Sequence, residues 1–216
     1  MFQNLDFVEL IIRIPVLLIA FTIHECSHGL AAYKLGDSTA KLDGRLSLNP
    51  LRHIDPLGAI MLLVVGFGWA KAVMVNPYNL KNPKQDMAVI SIAGPLSNFI
   101  LAAVFTVLAV VTQAFLPVNT ATNILNQFLM EGLYINIGLG VFNMLPIPPL
   151  DGSKVLGSVL PDSIYRVFLG FDSRYGMILF IILMFTGVLS WILRPMTSVV
   201  INAYISAASW LFTLIS

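Results

Sequence analysis

One cluster of residues in the chain has the types and spacing of metal chemistry. It is His24, Glu25 and His28, in the pattern HExxH. On a helix, residues four apart lie on one face about one turn from each other, so both imidazoles can bind one metal ion. Glu25 is rotated by about 100° from His24 around the helix axis, which brings a carboxylate near a metal-bound water. The pattern predicts a zinc hydrolase in which this carboxylate accepts a proton.

The surroundings of the motif are apolar, because residues 8–34 form one long hydrophobic stretch. The alternative interpretation is a pair of core histidines beside a hydrogen-bonded glutamate. Ionisable side chains inside a membrane segment are costly and usually functional, whereas in a soluble helix the alternative would carry more weight. We therefore favour the metal site.

Composition indicates that the solvent around most of the chain is lipid. Of 216 residues, 57% are hydrophobic and only 11% are charged, against roughly a quarter charged in soluble domains. The formal net charge of +1 comes without a basic cluster, which excludes a nucleic-acid partner. The length leaves no room for an added soluble domain. We expect one integral-membrane domain over residues 1–216, with a catalytic core at about 8–160 and C-terminal spans at about 175–215.

Apolar segments predict an all-α membrane fold, a polytopic bundle of about five spans. Each is long enough for about 30 Å of hydrocarbon. Gly36 is expected to cap the first span, while Pro117 and Pro195 stop or separate later ones. The five predicted spans are residues 8–34, 86–115, 129–150, 175–193 and 197–215.

The apolar segment 57–70 is short and contains three glycines, so it either crosses as a sixth span or enters and leaves on one side. Entry and exit of 57–75 on one side would place every basic loop in the cytoplasm, as the positive-inside rule favours. The basic loops are 35–56, 71–85 and 151–174, and loop 116–128 has no lysine or arginine. We predict a re-entrant or short β element near 57–80, with a strand at 71–76 and the N-terminus outside.

A catalytic zinc usually has three protein ligands, so a third candidate is needed. His53 is the only other histidine, and Glu131 lies at the external start of its span in the favoured topology. Asp151 ends the stretch NMLPIPPLDG, whose three prolines break the helix at the cytoplasmic side, where His28 also lies. Asp151 is therefore the candidate ligand. The alternative is that it caps the helix that follows.

HECSH together with NMLPIPPLDG, residues 143–152, resembles the site-2 protease family of intramembrane metalloproteases. The stretch from Gly94 to Asn98, GPLSN, matches a glycine–asparagine motif that this family carries on an intervening span. The resemblance runs from about residue 16 to 160. Loop 36–58 is similar to that of a compact branch without a PDZ or CBS module.

The resemblance implies that the metal lies within the bilayer and is reached by water from the cytoplasmic side. It implies that Glu25 acts as general base and then as general acid. One Zn²⁺ per chain would be bound by His24, His28 and Asp151.

Two amides and one further histidine are also candidate site residues. By the resemblance, Asn98 and Asn143 bind substrate, either orienting it or polarising the scissile carbonyl. The alternative is that they only form hydrogen bonds between helices. His53 is a candidate for gating or for supporting the site, and its alternative is a loop histidine packed beside Asp55.

The expected activity is hydrolysis of peptide bonds in or near transmembrane segments of other proteins, as in regulated intramembrane proteolysis. The partners are then transmembrane protein substrates and the lipid bilayer of the cell (plasma or inner) membrane, with the active site open to the cytoplasm. One alternative is a zinc protease of another HExxH family, acting on misfolded or lipidated proteins. The other is a non-enzymatic metal-binding or transport protein, which would need polar residues along a path through several spans.

Overall fold

A computed structural model describes residues 7–65 and 68–215, and the regular secondary structure of these residues is helical. The predicted all-α class is confirmed. Short 3-10 turns occur at Pro50–Arg52 and Pro77–Asn79. The α-helices are α1 (Phe7–Lys34), α2 (Thr39–Leu42), α3 (Pro56–Val65), α4 (Pro83–Phe115), α5 (Thr120–Asn143), α6 (Asp151–Val159), α7 (Asp162–Phe185) and α8 (Val188–Ile215).

Three of these helices are long and apolar enough to cross a membrane. They are Leu10–Lys34 within α1, Pro83–Phe115 and Val188–Ile215. In lipid a helix pairs its backbone polar groups internally, which is why long apolar helices are the expected spanning elements. This agrees with the membrane assignment made from composition.

Helix α4 lies at the centre and packs against α1, α5, α6 and α8. Its Ala102 forms a buried cluster with Leu133 and Ile137 of α5. A Cβ atom at Gly132 would lie 2.5 Å from ring atoms of Phe105, so the missing side chain permits close approach of the two helices. Small residues serve this purpose in membranes, where lipid removes the usual hydrophobic driving force.

The chain turns at the end of α1 and is fastened there by a buried carboxylate. Gly36 has φ 111°, a left-handed conformation suited to glycine, as predicted for the cap. The next residue, Asp37, is 0% exposed. It accepts hydrogen bonds from Thr39 N (3.1 Å) and Oγ1 (2.5 Å), Asn76 N (2.7 Å) and Asn79 Nδ2 (2.8 Å). Asp37 therefore holds the segment before α4 against the end of α1.

The predicted strand at 71–76 is wrong, because these residues carry no regular secondary structure. Among the described residues, backbone pairing here consists of one isolated antiparallel bridge between Ile54 and Ala70 and a 2.8 Å hydrogen bond from Lys71 N to the His53 carbonyl. The backbone N–H of Val73 donates instead to the Glu25 carboxylate, 2.8 Å away. A strand needs a continuous backbone partner, and here a side chain replaces it.

The proline-rich stretch after α5 brings α6 back toward the bundle. Three prolines lie between the two helices. The helix is interrupted there, as predicted, because proline has no donor N–H. A Cβ atom at Gly152 would lie 2.3 Å from the Met144 carbonyl oxygen, so this tight return requires glycine. Leu150 occupies the N-cap position, and Asp151 is the first helical residue. The predicted alternative, Asp151 as the cap, is therefore not adopted.

The boundary between the last two helices differs from the prediction. We expected Pro195 to separate them, but it lies inside α8. The break occurs instead at Gly187, which has φ 76°. Proline is tolerated in membrane helices, where local adjustments satisfy the freed backbone group, whereas a left-handed residue ends the helix.

The Asp37 anchor predicts a pH-dependent contribution to stability. Burial raises the pKa of the Asp37 carboxyl, but its hydrogen bonds outweigh burial and hold the pKa below the usual value. The unfolded pKa is about 3.9, so the stabilisation is complete above that pH and is lost as pH falls through the folded pKa. Asp37→Asn should cost about 2 kcal/mol near pH 7.

Thermal unfolding of both proteins in detergent, from pH 7 down to pH 3, measures this effect. The gap in melting temperature between wild type and Asp37→Asn should narrow below about pH 4. A gap that stays constant across the range would contradict an ionised anchor.

Candidate metal centre

Three donor atoms from α1 and α6 meet in one place. The Nε2 atoms of His24 and His28 lie 3.0 Å apart, and Asp151 Oδ2 lies 3.3 Å from the first and 3.1 Å from the second. Donors about 2.0–2.2 Å from a tetrahedral zinc ion are separated from each other by roughly 3.3 Å. The structure thus brings together the three predicted ligands at separations that fit a tetrahedral metal.

Both imidazoles have a fixed partner on the nitrogen that faces away from this group. His28 Nδ1 lies 2.7 Å from the Ile90 carbonyl oxygen, and His24 Nδ1 lies 2.6 Å from Asn98 Oδ1. An oxygen of this kind can only accept, so each Nδ1 donates a proton and each Nε2 is the ring nitrogen that remains to bind a metal ion. Such partners on the far nitrogen orient histidine ligands in metal sites.

Glu25 lies between the two histidines in the sequence, and its side chain is buried. Its Oε2 accepts the 2.8 Å hydrogen bond from Val73 N–H. The contact restricts the carboxylate rotamer while leaving a second oxygen to take part in chemistry. The sequence did not predict the contact between Val73 and Glu25, because a backbone N–H carries no residue signature.

Helix α4 contacts the imidazoles at Gly94. A Cβ atom there would lie 2.4 Å from His28 Nε2 and 2.7 Å from His24 Cε1. Distances below 3 Å are not compatible with a carbon atom in place, so the two rings occupy the volume that any other residue would fill. Steric exclusion by the two imidazole rings therefore explains the glycine of the GPLSN motif.

The predicted site residue Asn98 is fully buried beside His24, and it has a partner that the sequence did not reveal. Asn98 Nδ2 donates to Asn136 Oδ1 at 2.9 Å, and Asn136 Nδ2 donates to the Gly132 carbonyl at 2.8 Å. The sequence signal that could have identified Asn136 is an amide inside an apolar span, where polar side chains are rare and usually functional.

Asn143 and His53 take positions apart from these contacts. Asn143 Nδ2 donates to the Leu139 carbonyl of its own helix at 3.0 Å. His53 is 2% exposed, and its Nε2 lies 2.8 Å from the Ser47 carbonyl oxygen. Its buried Nδ1 has no hydrogen-bond partner among the described residues. With Asp55 and Trp69 it lines a cavity of about 220 Å³ between α1 and α3.

The chain is similar to proteins named as metalloproteases. The model for peptidase family M50 matches residues 114–186, which include Asp151. "Putative zinc metalloprotease YwhC" of Bacillus subtilis is 42% identical over 182 residues, 83% of each chain. "Putative zinc metalloprotease MJ0611" of Methanocaldococcus jannaschii is 32% identical over 158 residues, 72% of this chain and 74% of the relative. No solved structure matches.

Gly94→Ala should displace the imidazoles and weaken zinc binding by at least about 10-fold, a loss typical of disturbed ligand orientation. Zinc titration against a competing chelator, in detergent, measures the affinity. Gly138→Ala on α5 is the matched control, because no atom of the described residues lies within 4 Å of a Cβ atom there. Wild-type zinc affinity in both variants would show that the space at Gly94 does not determine the positions of the imidazoles.

Proposed function

Because this chain belongs to peptidase family M50, we propose that it is a zinc endopeptidase that cuts membrane proteins in or near their transmembrane segments. Cleavage of this kind is the step that defines regulated intramembrane proteolysis. One observation carries the proposal: Glu25 and both imidazoles lie on α1, in a segment long and apolar enough to span a membrane. His28 precedes the end of α1 by six residues, or about 9 Å.

The metal donors proposed are His24, His28 and Asp151, and the general base is Glu25. When bound, the zinc ion polarises the scissile carbonyl and lowers the pKa of a bound water. The chain's own contribution is to hold two imidazoles and one carboxylate at tetrahedral spacing. Orientation of these groups in advance is what permits the chemistry in a confined site.

Glu25 would move the proton in the reaction. It accepts a proton from the attacking water as the new C–O bond forms, then donates it to the amine as the C–N bond breaks. The products are a carboxylic acid and an amine, between which the second proton of the water passes to give a carboxylate and an ammonium group, and Glu25 returns to its starting state. The hydrogen bond from Val73 keeps the carboxylate in place through both transfers.

We propose five spans, formed by α1, α4, α5, α7 and α8, in one domain over residues 1–216. Helix α3 has ten residues and rises about 15 Å, half of the hydrocarbon thickness. The bridge between Ile54 and Ala70 joins the two ends of this segment, as does the 2.8 Å bond from Lys71 N to the His53 carbonyl. Both features favour entry and exit on the cytoplasmic side, where the active site would open.

Residues 71–76 are the proposed platform for the substrate. A helical substrate pairs its carbonyls internally, so it must unwind locally before attack. Ala72 and Met74 are exposed on either side of Val73, whose N–H touches Glu25. An unwound segment placed along them would gain backbone partners that lipid cannot offer, close to the general base.

Glu25→Gln should remove cleavage while keeping the metal. The amide cannot accept the proton, and loss of a general base typically costs 10²–10⁴-fold in rate, so we expect a loss of about 10³-fold. Single-span peptides in nanodiscs, followed by mass spectrometry, give the rate, and elemental analysis gives the zinc content. Glu131→Gln is the control for loss of a carboxylate elsewhere in the bundle.

Asp151→Ala separates the ligand assignment from the protease assignment. It should lose zinc and cleavage together, whereas Glu25→Gln loses only cleavage. Full cleavage by Glu25→Gln would refute the proposed mechanism, and tight zinc binding by Asp151→Ala would remove this residue from the ligand set.

The topology predicts that Asn49 and Lys81 face the same side, and Val118 the opposite one. All three residues are exposed. In a Cys26→Ala background, single cysteines at these positions can be labelled on intact cells with an impermeant maleimide. Only Val118→Cys should react before the membrane is permeabilised. If residues 56–70 crossed the bilayer, Asn49→Cys and Lys81→Cys would instead differ from each other.

A further inference from the structure

We propose that Asn136 of α5 is a positioning residue that acts through Asn98 to hold His24 in the tautomer that binds metal. The proposal rests on the proposed function above, and it gives Asn98 a role toward the metal ligand rather than toward the substrate. Three residues from α1, α4 and α5 take part, linked by hydrogen bonds of 2.6 and 2.9 Å.

The direction of this chain of bonds is set at its far end by a backbone carbonyl. The Gly132 carbonyl can only accept, so the NH₂ group of Asn136 must face it at 2.8 Å. The oxygen of Asn136 then faces Asn98 and accepts from its NH₂ group. The oxygen of Asn98 is left to face His24, which must donate from Nδ1.

A second carbonyl supports the same orientation. Asn98 Nδ2 also lies 3.4 Å from the Ala20 carbonyl oxygen, a longer contact than the one to Asn136. Both amides are 0% exposed. Water cannot replace a lost partner there, and an unpaired buried amide is costly. Burial of Asn98 also keeps its amide from contacting a substrate.

Reversal of the Asn98 amide would change the metal site. Its NH₂ group would then face His24 Nδ1, which would have to accept. The ring proton would move to Nε2, and the lone pair that faces Asp151 would be lost. His28 is not subject to this reversal, because its partner is the Ile90 carbonyl, which cannot turn.

Asn136→Leu tests the relay, with the full chain in detergent and zinc affinity as the readout. The leucine cannot accept from Asn98, so we expect zinc to bind about 10-fold more weakly, at the lower end of the 10–100-fold range for such supporting residues. Asn136→Asp keeps an oxygen toward Asn98 and should restore most of the affinity. The visible spectrum of the Co²⁺-substituted protein should change in Asn136→Leu and return toward wild type in Asn136→Asp.

Asn126→Leu is the matched control for packing. Asn126 accepts a 2.5 Å hydrogen bond from Thr112 across the same pair of helices, α4 and α5. Loss of this bond removes an interhelical contact of similar kind without touching His24. Asn126→Leu should keep wild-type zinc affinity, and circular dichroism and melting should show that both leucine variants are folded.

A double mutant decides whether Asn136 acts through Asn98. Asn98→Leu should weaken zinc binding at least as much as Asn136→Leu, and the double variant should match Asn98→Leu alone. Additive losses would overturn the relay, as would equal zinc affinity in Asn136→Leu and Asn126→Leu. If the wild-type protein binds zinc but cuts no membrane peptide, the proposed function is refuted. The relay is then still tested by the zinc affinities of the variants.

Discussion

The contact between α1 and α4 is the constraint on which the site depends. Along α4, Ile90, Gly94 and Asn98 are spaced four residues apart and so share one face. Along α1, His24 and His28 have the same spacing. Ile90 holds His28, Asn98 holds His24, and Gly94 makes room for both rings. The two helices therefore run antiparallel here and match in register, and a shift of one turn would unpair both imidazoles.

Breaks in the chain supply what two long helices cannot. An aspartate in the middle of a spanning helix would remain on that helix's own face. The prolines after α5 let α6 start next to α4 instead, and Asp151 reaches the histidines from outside α1. At the break after α1, Asp37 accepts a hydrogen bond from Asn76 and so fixes the segment that contains Val73. Val73 in turn donates its N–H to Glu25. The carboxylate proposed as general base is thus oriented by residues that lie outside the spans.

The sequence predicted the elements of the site better than their connections. HExxH spacing and the prolines predicted that both histidines would meet Asp151, because these signals are local and have a fixed geometry. The links through Asn136 and the Val73 N–H were missed, since one is an amide on a distant helix and the other is backbone. The strand at 71–76 and the break at Pro195 were wrong. Hydropathy and proline position do not report which backbone groups find partners after packing.

Charge balance explains why this polar group is tolerated in an apolar bundle. Glu25 and Asp151 bring two carboxyl groups into a region of low dielectric constant, where Lys154 Nζ lies 3.8 Å from Asp151 Oδ1. Buried carboxylates are strongly unfavourable unless opposite charge and hydrogen bonds compensate them. A divalent cation bound by the three donors would place positive charge at the centre of this group. Because metal affinity and folding are coupled in such sites, occupancy should stabilise the packing of α1 against α4 and α6 as well as supply the chemistry. The hydrogen bonds to His24, His28 and Glu25 orient these groups, and the cation balances the charge, so neither can substitute for the other.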